Sequence, residues 1–415
     1  MRMQTCVNVV GLGYIGLSTA LMMASHGVPV VGTDRSREVI DSLSRGSMTF
    51  EEKGMDGLFR EAVDRGIRFT GEYVKTDMYI ISVATPFDKA TKKIDPGDVV
   101  SAVESVLDVC REGAILVIES TISPGTIDRH IRPLLEKRGM KAGREIHLAH
   151  APERILPGNM IEELLHNCRT IGADSPAVAE RVREVYASFC QGEIVMTDIR
   201  TAEMSKVVEN AFRDVNIAFA NELAKICRNG GMDVREVIRI ANRHPRVNIL
   251  NPGPGVGGHC ISVDPWFLVG DFPQEARLIR QAREINDSMP EFVLERVRAV
   301  MKESHIEELT RVGFYGLTYK ENVDDIRESP TLQLYDLLEY RTMSVPKCYD
   351  PMCGRAVCPG QVFSFEQFLA GIDLLVVMVG HDHLRENWNL VRGKTVLDTR
   401  DCGLPADGQN RLFFL

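Results

Sequence analysis

Short apolar runs separated by glycines and polar turns set the rhythm of the first 150 residues. Cys6–Val10 reads as a buried strand, Gly11–Gly16 as a turn, Leu17–Ser25 as a helix, and Val28–Gly32 as a second strand leading to Asp34. Further apolar runs, Met78–Val83, Ala114–Glu119 and Ile146–Ala149, alternate with helix-like segments. That alternation predicts a parallel sheet with helices on both faces. The polar or Pro/Gly-rich stretches Pro86–Pro96 and Pro152–Asn159 should then lie at strand ends, where α/β folds bind ligands.

The pattern changes at Thr201. From there to Arg228 neither proline nor glycine intervenes, and Met204, Val207, Val208, Ala211, Phe212 and Val215 recur at helical spacing. Asn229-Gly230-Gly231 supplies a stop signal. A helix this long carries more apolar surface than one small domain covers, so it should bridge domains and offer a dimer interface. A shorter helical stretch, Val234–Asn242, follows. Arg311–Leu317 opens a second α/β unit, with further strands expected at Ser344–Tyr349, Ile372–Val379 and Thr395–Leu397. The two α/β halves read as architectural echoes rather than a sequence repeat.

Composition narrows the class. A chain of 415 residues, 44% hydrophobic and 26% charged, is a globular protein of two or three domains. The formal net charge of −9 argues against nucleic acid or an anionic membrane as partner, though not against a small anion in a local basic pocket. Val7–Val31 carries no charged residue, but its glycines, proline and polar residues fit a strand, turn and buried helix better than a leader or membrane span. The ten cysteines read as reduced thiols, which together with the missing leader predicts a cytoplasmic enzyme. Cys348, Cys353 and Cys358 recur every five residues, yet the C-x2-C pair typical of zinc is absent and no metal is expected.

The chemistry sits in a few motifs. Gly11, Gly13 and Gly16 form G-x-G-x-x-G between a strand and a helix, with Tyr14 and Ile15 inside it. Such glycines permit the tight turn and close approach of a pyrophosphate to the helix N-terminus. Asp34, 18 residues beyond Gly16, would accept hydrogen bonds from a ribose and favours NAD over NADP; Arg35 beside it pulls slightly the other way. Lys206, Asn210 and Arg213 fall at i, i+4 and i+7, on one helix face. They are either a solvated stripe or a lysine and amide aimed at a substrate oxygen. In His244-Pro245-Arg246, Arg246 is either a surface residue or a clamp for a carboxylate or phosphate. Cys260 lies in a loop where Pro252–Cys260 holds two prolines and four glycines, with Asp264 four residues on. A thiol in such a loop, in a chain with a nicotinamide-cofactor fingerprint, can capture an aldehyde and carry the oxidation on to a carboxylate. His259 reads as structural. Gly316–Lys320 and Asp324–Pro330 again form strand, loop and helix, with Lys320 and Arg327 as cations for a phosphate.

In this order the motifs resemble the UDP-glucose/GDP-mannose dehydrogenase family across the whole chain. Arg200–Leu223 and Ala241–Leu268 are the longest matching stretches, joined by Glu119-Ser120-Thr121, Ala151-Pro152-Glu153-Arg154 and Gly316–Pro330. The resemblance implies an NAD-binding Rossmann domain (1–198), a central helical dimerisation region with the cysteine loop (199–300), and a smaller Rossmann-like α/β domain for the UDP-sugar (301–415). It implies oxidation of the C6 hydroxymethyl of UDP-N-acetylmannosamine to a carboxylate with two NAD, as a precursor for a polysaccharide or glycan. By matching position, Cys260 is the nucleophile, Lys206 the acid/base or oxyanion residue, Asn210 and Asp264 assist, and Glu153 serves the thioester and its water. Thr85, Thr121 and Arg327 belong with the cofactor. Arg154, Ile155, Arg213, His244, Arg246, Gly257, Tyr319 and Lys320, with Lys206 and Asn210, belong with the substrate. Glucose-oxidising relatives carry another acid after Pro-Glu where this chain has Arg154-Ile155-Leu156-Pro157, which favours an N-acetylated sugar; UDP-N-acetylglucosamine and UDP-glucose remain alternative substrates. Two other readings are a two-electron β-hydroxyacid-type dehydrogenase, which the second α/β half counts against, and a nucleotide sensor without catalysis, which the joint presence of Lys206, Asn210, Cys260 and Asp264 counts against.

Overall fold

The structure, a computed structural model, describes residues 5–88, 90–156, 158–339, 345–406 and 408–415. The chain divides into two compact units, Met1–Glu209 and Asn210–Leu415, and the division falls inside the helix Ile199–Asn229.

The first unit is built on eight strands: β1 (Val7–Val10), β2 (Val30–Thr33), β3 (Arg68–Thr70), β4 (Met78–Ile81), β5 (Ala114–Ile118), β6 (Ile146–His150), β7 (Arg169–Ala173) and β8 (Ile194–Thr197). Their order is β3-β2-β1-β4-β5-β6-β7-β8, parallel at every pairing except β6 with β7. Strand order reverses between β1 and β4, which opens a crevice at the carboxyl ends of these strands. Successive residues face opposite cores. Val7, Val9, Met78, Ile80, Ile115 and Val117 pack into one cluster, while Val10, Tyr79, Ile81, Leu116 and Ile118 pack into the other. Burial on both faces is why these strands are continuously apolar in sequence. The loops expected at strand ends do follow β4 and β6; Lys89 and Pro157 within them lie outside the described residues.

The first helix, Tyr14–Ser25, begins three residues earlier than its apolar pattern indicates. Leu17 N–H already donates to the Gly13 carbonyl (3.0 Å), so the second half of the glycine motif is the helix's first turn. β3, β7 and β8 are not announced by the sequence. β8 is marginal, with Val195 and Met196 exposed, and β7 begins on a buried arginine.

From residue 199 to 303 the described chain has helices and no strand, with the loop 242–263 between the second and third of them: Ile199–Asn229, Val234–Ala241, Asp264–Asp271, Arg277–Asp287 and Met289–Glu303. The second sheet follows with β9 (Val312–Tyr315), β10 (Lys347–Tyr349), β11 (Leu374–Val377), β12 (Thr395–Asp398) and β13 (Arg411–Phe414), all parallel, in the order β10-β9-β11-β12-β13. Ser344, the expected start of β10, lies outside the described residues. Alternation repeats here: Phe314, Leu374 and Val376 face one core, Tyr315, Leu375 and Val377 the other.

Candidate active site

In the first unit the three fingerprint glycines are needed for three different reasons. Gly11 has φ +91°, and a Cβ there would meet the Ser82 carbonyl oxygen at 2.5 Å. Gly16 has no room either, because a Cβ would run into the Gly11 carbonyl. Gly13 is the exception: a Cβ there would meet nothing within 4 Å, so the absence of a side chain leaves the backbone open to approach from outside the fold. Asp34 Oδ2 accepts from Leu12 N–H at 2.7 Å and Oδ1 from Ser36 N–H at 2.8 Å, so the expected ribose acceptor also braces the glycine turn. Arg35 is turned to Asp98, its Nη1 donating at 2.8 Å. Tyr14 stacks on Phe50 with ring centroids 4.4 Å apart, Ile15 is half-buried, Thr85 is buried, and Thr121 is half-buried just past β5.

Past β6, Glu153 is buried. Its Oε1 accepts from Arg154 N–H (2.6 Å) and its Oε2 from Arg169 Nη2 (2.5 Å). Arg169 Nη1 stands 3.9 Å from Oε1 of Glu119, which also accepts from Thr19 Oγ1 (3.2 Å) and Tyr186 OH (2.9 Å). Burial, and then the charge of Glu153, push the Glu119 carboxyl up to about 7. Arg154 also bonds within the protein: Nη1 donates to the Cys168 carbonyl (2.8 Å), and Nη2 to Thr170 Oγ1 (2.9 Å) and Glu209 (2.7 Å). Ile155 packs its side chain into the hydrophobic core, so only its backbone is free to serve a ligand. Lys206 is buried on the long helix.

In the second unit, Asn210 Nδ2 donates to Asp264 Oδ2 at 2.6 Å, both side chains buried. Asp264 opens the helix Asp264–Asp271 and its N–H donates to the Cys260 carbonyl (2.8 Å). Gly258, at φ +84°, donates its N–H to the Arg327 carbonyl (2.8 Å), and the Ser262 hydroxyl donates back to the Gly258 carbonyl. The Tyr319 side chain lies over the glycines: a Cβ on Gly257 would sit 2.6 Å from its Cβ, and one on Gly258 2.9 Å from its ring. A larger residue at 258 would displace that ring, and one at 257 would also run into the Glu328 carbonyl oxygen at 2.6 Å. The half-exposed Cys260 is close enough that its charge, after burial and Asp325, raises the Tyr319 phenol, while Arg327 and Arg213 oppose the rise. Arg327 chelates Asp325 with Nε at 3.0 Å and Nη2 at 2.6 Å. Lys320 is exposed next to Tyr319.

The structure thus gathers Asn210, Asp264, Cys260, Gly257, Tyr319 and Arg327, with Arg213 in electrostatic reach. His244 and Arg246 are exposed beyond the helix Val234–Ala241, and no hydrogen bond among the described residues links them to the Cys260 loop. Sequence reasoning missed Arg169, whose only signal is an isolated charge opening an apolar run. It also missed the network behind the thiol loop. There Gly253 N–H donates to Asn221 Oδ1 (2.9 Å), Asn221 to Asn286 (2.8 Å), and Asn286 to Asp214 (2.8 Å), which is paired with buried Arg283 (2.6 Å). Burial raises Asp214 to about 6 despite Arg283. Cys348 and Cys358 sulfurs meet at 3.2 Å, and among the described residues no group of three or more His, Cys, Asp or Glu is placed to hold a metal ion. Among those residues no helix is long and apolar enough to cross a membrane.

Comparison with known proteins covers all three parts of the chain. Residues 5–190 match the NAD binding domain of the UDP-glucose/GDP-mannose dehydrogenase family, residues 200–288 its central domain, and residues 313–403 its UDP binding domain. The UDP-N-acetyl-D-mannosamine dehydrogenase of Methanococcus vannielii is 41% identical over 405 residues, covering 95% of this chain and 92% of the relative. The enzyme of that name from Escherichia coli K12 is 40% identical over 420 residues, covering 95% and 98%. The native structure of the UDP-N-acetyl-mannosamine dehydrogenase Cap5O from Staphylococcus aureus superimposes with a TM-score of 0.89 at 38% identity, covering 99% of this chain and 98% of that one. With an N-terminal glycine cradle, a pinned thiol loop and full-length relatives of this kind, the chain belongs to the UDP-glucose/GDP-mannose dehydrogenase family.

Proposed function

We propose that this chain catalyses the NAD-dependent, four-electron oxidation of the C6 hydroxymethyl of UDP-N-acetyl-D-mannosamine to the carboxylate, giving UDP-N-acetyl-D-mannosaminuronate. The observation that carries the reading is the Cys260 loop, where a half-exposed thiol rides on a backbone tied at Gly258, Ser262 and Asp264, with Asn210 and Tyr319 beside it. The relatives' names and the near-complete coverage support the choice of sugar.

The first sheet suits NAD because Gly13 leaves open space, Asp34 stands at the end of β2, and the helix Tyr14–Ser25 begins inside the glycine turn. Gly11, Gly13, Gly16, Tyr14, Ile15 and Asp34 would hold the cofactor, with Thr85, Thr121 and Arg327 as further contacts. When bound, NAD supplies the hydride acceptor for each oxidation. Lys206 exchanges the proton of the substrate hydroxyl. The Asn210 amide spends one N–H on Asp264 and has a second for the substrate oxygen. Cys260 sulfur bonds to the aldehyde carbon while the carbonyl oxygen gains a proton, giving a thiohemiacetal. After the second oxidation the carbon is held as a thioester. Water oxygen bonds to that carbon, the C–S bond breaks, the sulfur leaves as thiolate, and Glu153 with Asp264 takes the water's proton. Arg154, Ile155, Arg213, His244, Arg246, Gly257, Tyr319 and Lys320 are proposed to bind the sugar nucleotide.

Residues 1–198, 199–300 and 301–415 are proposed as the cofactor, dimerising and sugar-nucleotide parts. A homodimer through the long helix is supported by its apolar face, where Phe212, Phe219 and Ile226 are 68%, 51% and 54% exposed. The cytoplasm, where NAD and nucleotide sugars occur together, is the proposed location. The test is to offer UDP-N-acetylmannosamine, UDP-N-acetylglucosamine and UDP-glucose separately and measure NADH per sugar. Two NADH, with fastest turnover of the first, is expected; Cys260→Ser should bind the sugar nucleotide yet form no acid. One NADH per sugar, or full acid formation by Cys260→Ser, refutes the covalent route, and faster turnover of another sugar refutes the specificity.

A further inference from the structure

Three consecutive residues at the start of β7 grip two consecutive residues past β6. The Cys168 carbonyl and Thr170 hydroxyl accept from Arg154, while Arg169 between them donates to the Glu153 carboxylate. These side-chain contacts all run to the loop at the carboxyl end of β6 and add nothing to the sheet ladder. Arg169 is itself buried, its guanidinium 4.4 Å from the Tyr186 ring centroid and 5.5 Å from that of Phe189. A buried cation facing Glu153 and Glu119 is a costly way to fill space, since apolar residues of similar volume are often as stable or more so. What it provides is direction. Glu153 Oε2 has the guanidinium as its recorded partner, and Oε1 is tied by the next backbone N–H, so both oxygens have fixed places.

We infer that Arg169 is a positioning residue for Glu153, holding its carboxylate where the water that cleaves the thioester is deprotonated. The inference rests on the role proposed above for Glu153. In the step concerned, water oxygen bonds to the thioester carbon, its proton passes to Glu153, the C–S bond breaks, and the electron pair leaves on Cys260 sulfur. Arg169 touches no reacting atom. Its loss lets the carboxylate swing, so hydrolysis slows while sugar binding and both oxidations proceed.

Arg169→Lys keeps a charge but loses the planar fork. Arg169→Gln combined with Glu119→Gln removes the cation together with one of the two carboxylates it faces, which protects the fold. Both variants, with Glu153→Gln, are mixed with UDP-N-acetylmannosamine and NAD, quenched at intervals, and weighed intact for a sugar-nucleotide adduct on Cys260; thermal unfolding checks the fold. The expected result is adduct accumulation with hydrolysis slowed roughly 10- to 100-fold, below the roughly 100- to 10,000-fold that a positioned base contributes, with the sugar-nucleotide Kd unchanged and KM lowered because the adduct accumulates. Wild-type hydrolysis in the Arg169 variants beside slowed hydrolysis in Glu153→Gln overturns this inference alone. A uniform slowing of every step together with weaker sugar-nucleotide binding also overturns it, marking Arg169 as merely structural. Wild-type hydrolysis in Glu153→Gln overturns the role of Glu153 and this inference with it.

Discussion

Glu119→Gln should stabilise the protein, and by an amount that depends on pH. Glu119 is wholly buried, and its carboxyl is raised from 4.5 to about 7 by burial first and the charge of Glu153 second. That rise corresponds to about 3 kcal/mol of preference for the protonated form. Below about pH 4.5 the group is neutral in both folded and unfolded chains and costs nothing. Between 4.5 and 7 the unfolded chain ionises while the folded one keeps its proton, so stability falls as pH rises, and above 7 the full cost applies. Glutamine keeps an oxygen to accept from Thr19 and Tyr186 but has nothing to ionise. The variant's lead in thermal midpoint should therefore be small at pH 5 and several degrees at pH 8, at about 2–4 °C per kcal/mol for a unit of this size. Scanning calorimetry of both proteins at the two pH values reads this directly. A lead that is the same at pH 5 and pH 8 would refute the burial argument, and a destabilised variant at both would mean the Arg169 pairing outweighs it.

The glycine pair separates ligand from packing. Gly13→Ala meets open space and should leave the melting temperature unchanged while raising KM for NAD, whereas Gly16→Ala runs into the Gly11 carbonyl and should lower the melting temperature itself. Asn210→Ala removes one hydrogen bond from the buried Asp264 carboxylate; about 1–3 kcal/mol of stability should be lost, and kcat should fall with little change in KM. Phe219→Glu places charge on the apolar face of the long helix, and sedimentation should show monomer in place of the proposed dimer.

The strands that could be read from sequence are those buried on both faces, because continuous apolar runs such as Ile115–Ile118 have no other explanation. The edge strands β3, β8 and β13 carry no such mark, although β10, also at an edge, is expected from the sequence. β13, Arg-Leu-Phe-Phe at the far edge of the second sheet, is half-exposed and passes for a tail. The thiol loop was legible because prolines and glycines around a cysteine are chemically unusual. Arg169, Asn221 and Arg283 were not, because a buried polar partner is defined by what lies opposite it. Arg283 and Asp214 are 69 residues apart in sequence, and nothing along the chain pairs them.

One device is used twice, and its differences decide which sheet receives the dinucleotide. After β1 the chain reads Gly11-Leu12-Gly13-Tyr14, and after β9 it reads Gly316-Leu317-Thr318-Tyr319. Both leading glycines sit at positive φ, +91° and +99°. Leu12 N–H donates to Asp34 Oδ2 at 2.7 Å, and Leu317 N–H to Asp350 Oδ2 at 2.5 Å, each aspartate following the neighbouring strand. The resemblance stops at the third residue. Gly13 is bare toward open space, while Thr318 is buried, its hydroxyl bonded to the Lys320 carbonyl (3.0 Å). Asp350 is buried and also accepts from Thr318 N–H (3.0 Å) and Met352 N–H (2.7 Å). Although burial opposes it, His381 first, and then the N–H groups of Thr318 and Leu317, hold its carboxyl below the usual range. A carboxylate so thoroughly bonded inside the fold has little left for a ribose, and a threonine in place of the bare glycine keeps a pyrophosphate off the backbone. Asp34, half-buried and with fewer bonds, keeps acceptor capacity, and Gly13 keeps the approach open. The first sheet therefore offers its backbone to a dinucleotide, whereas for the second we propose a ligand met by side chains such as Tyr319 and Lys320.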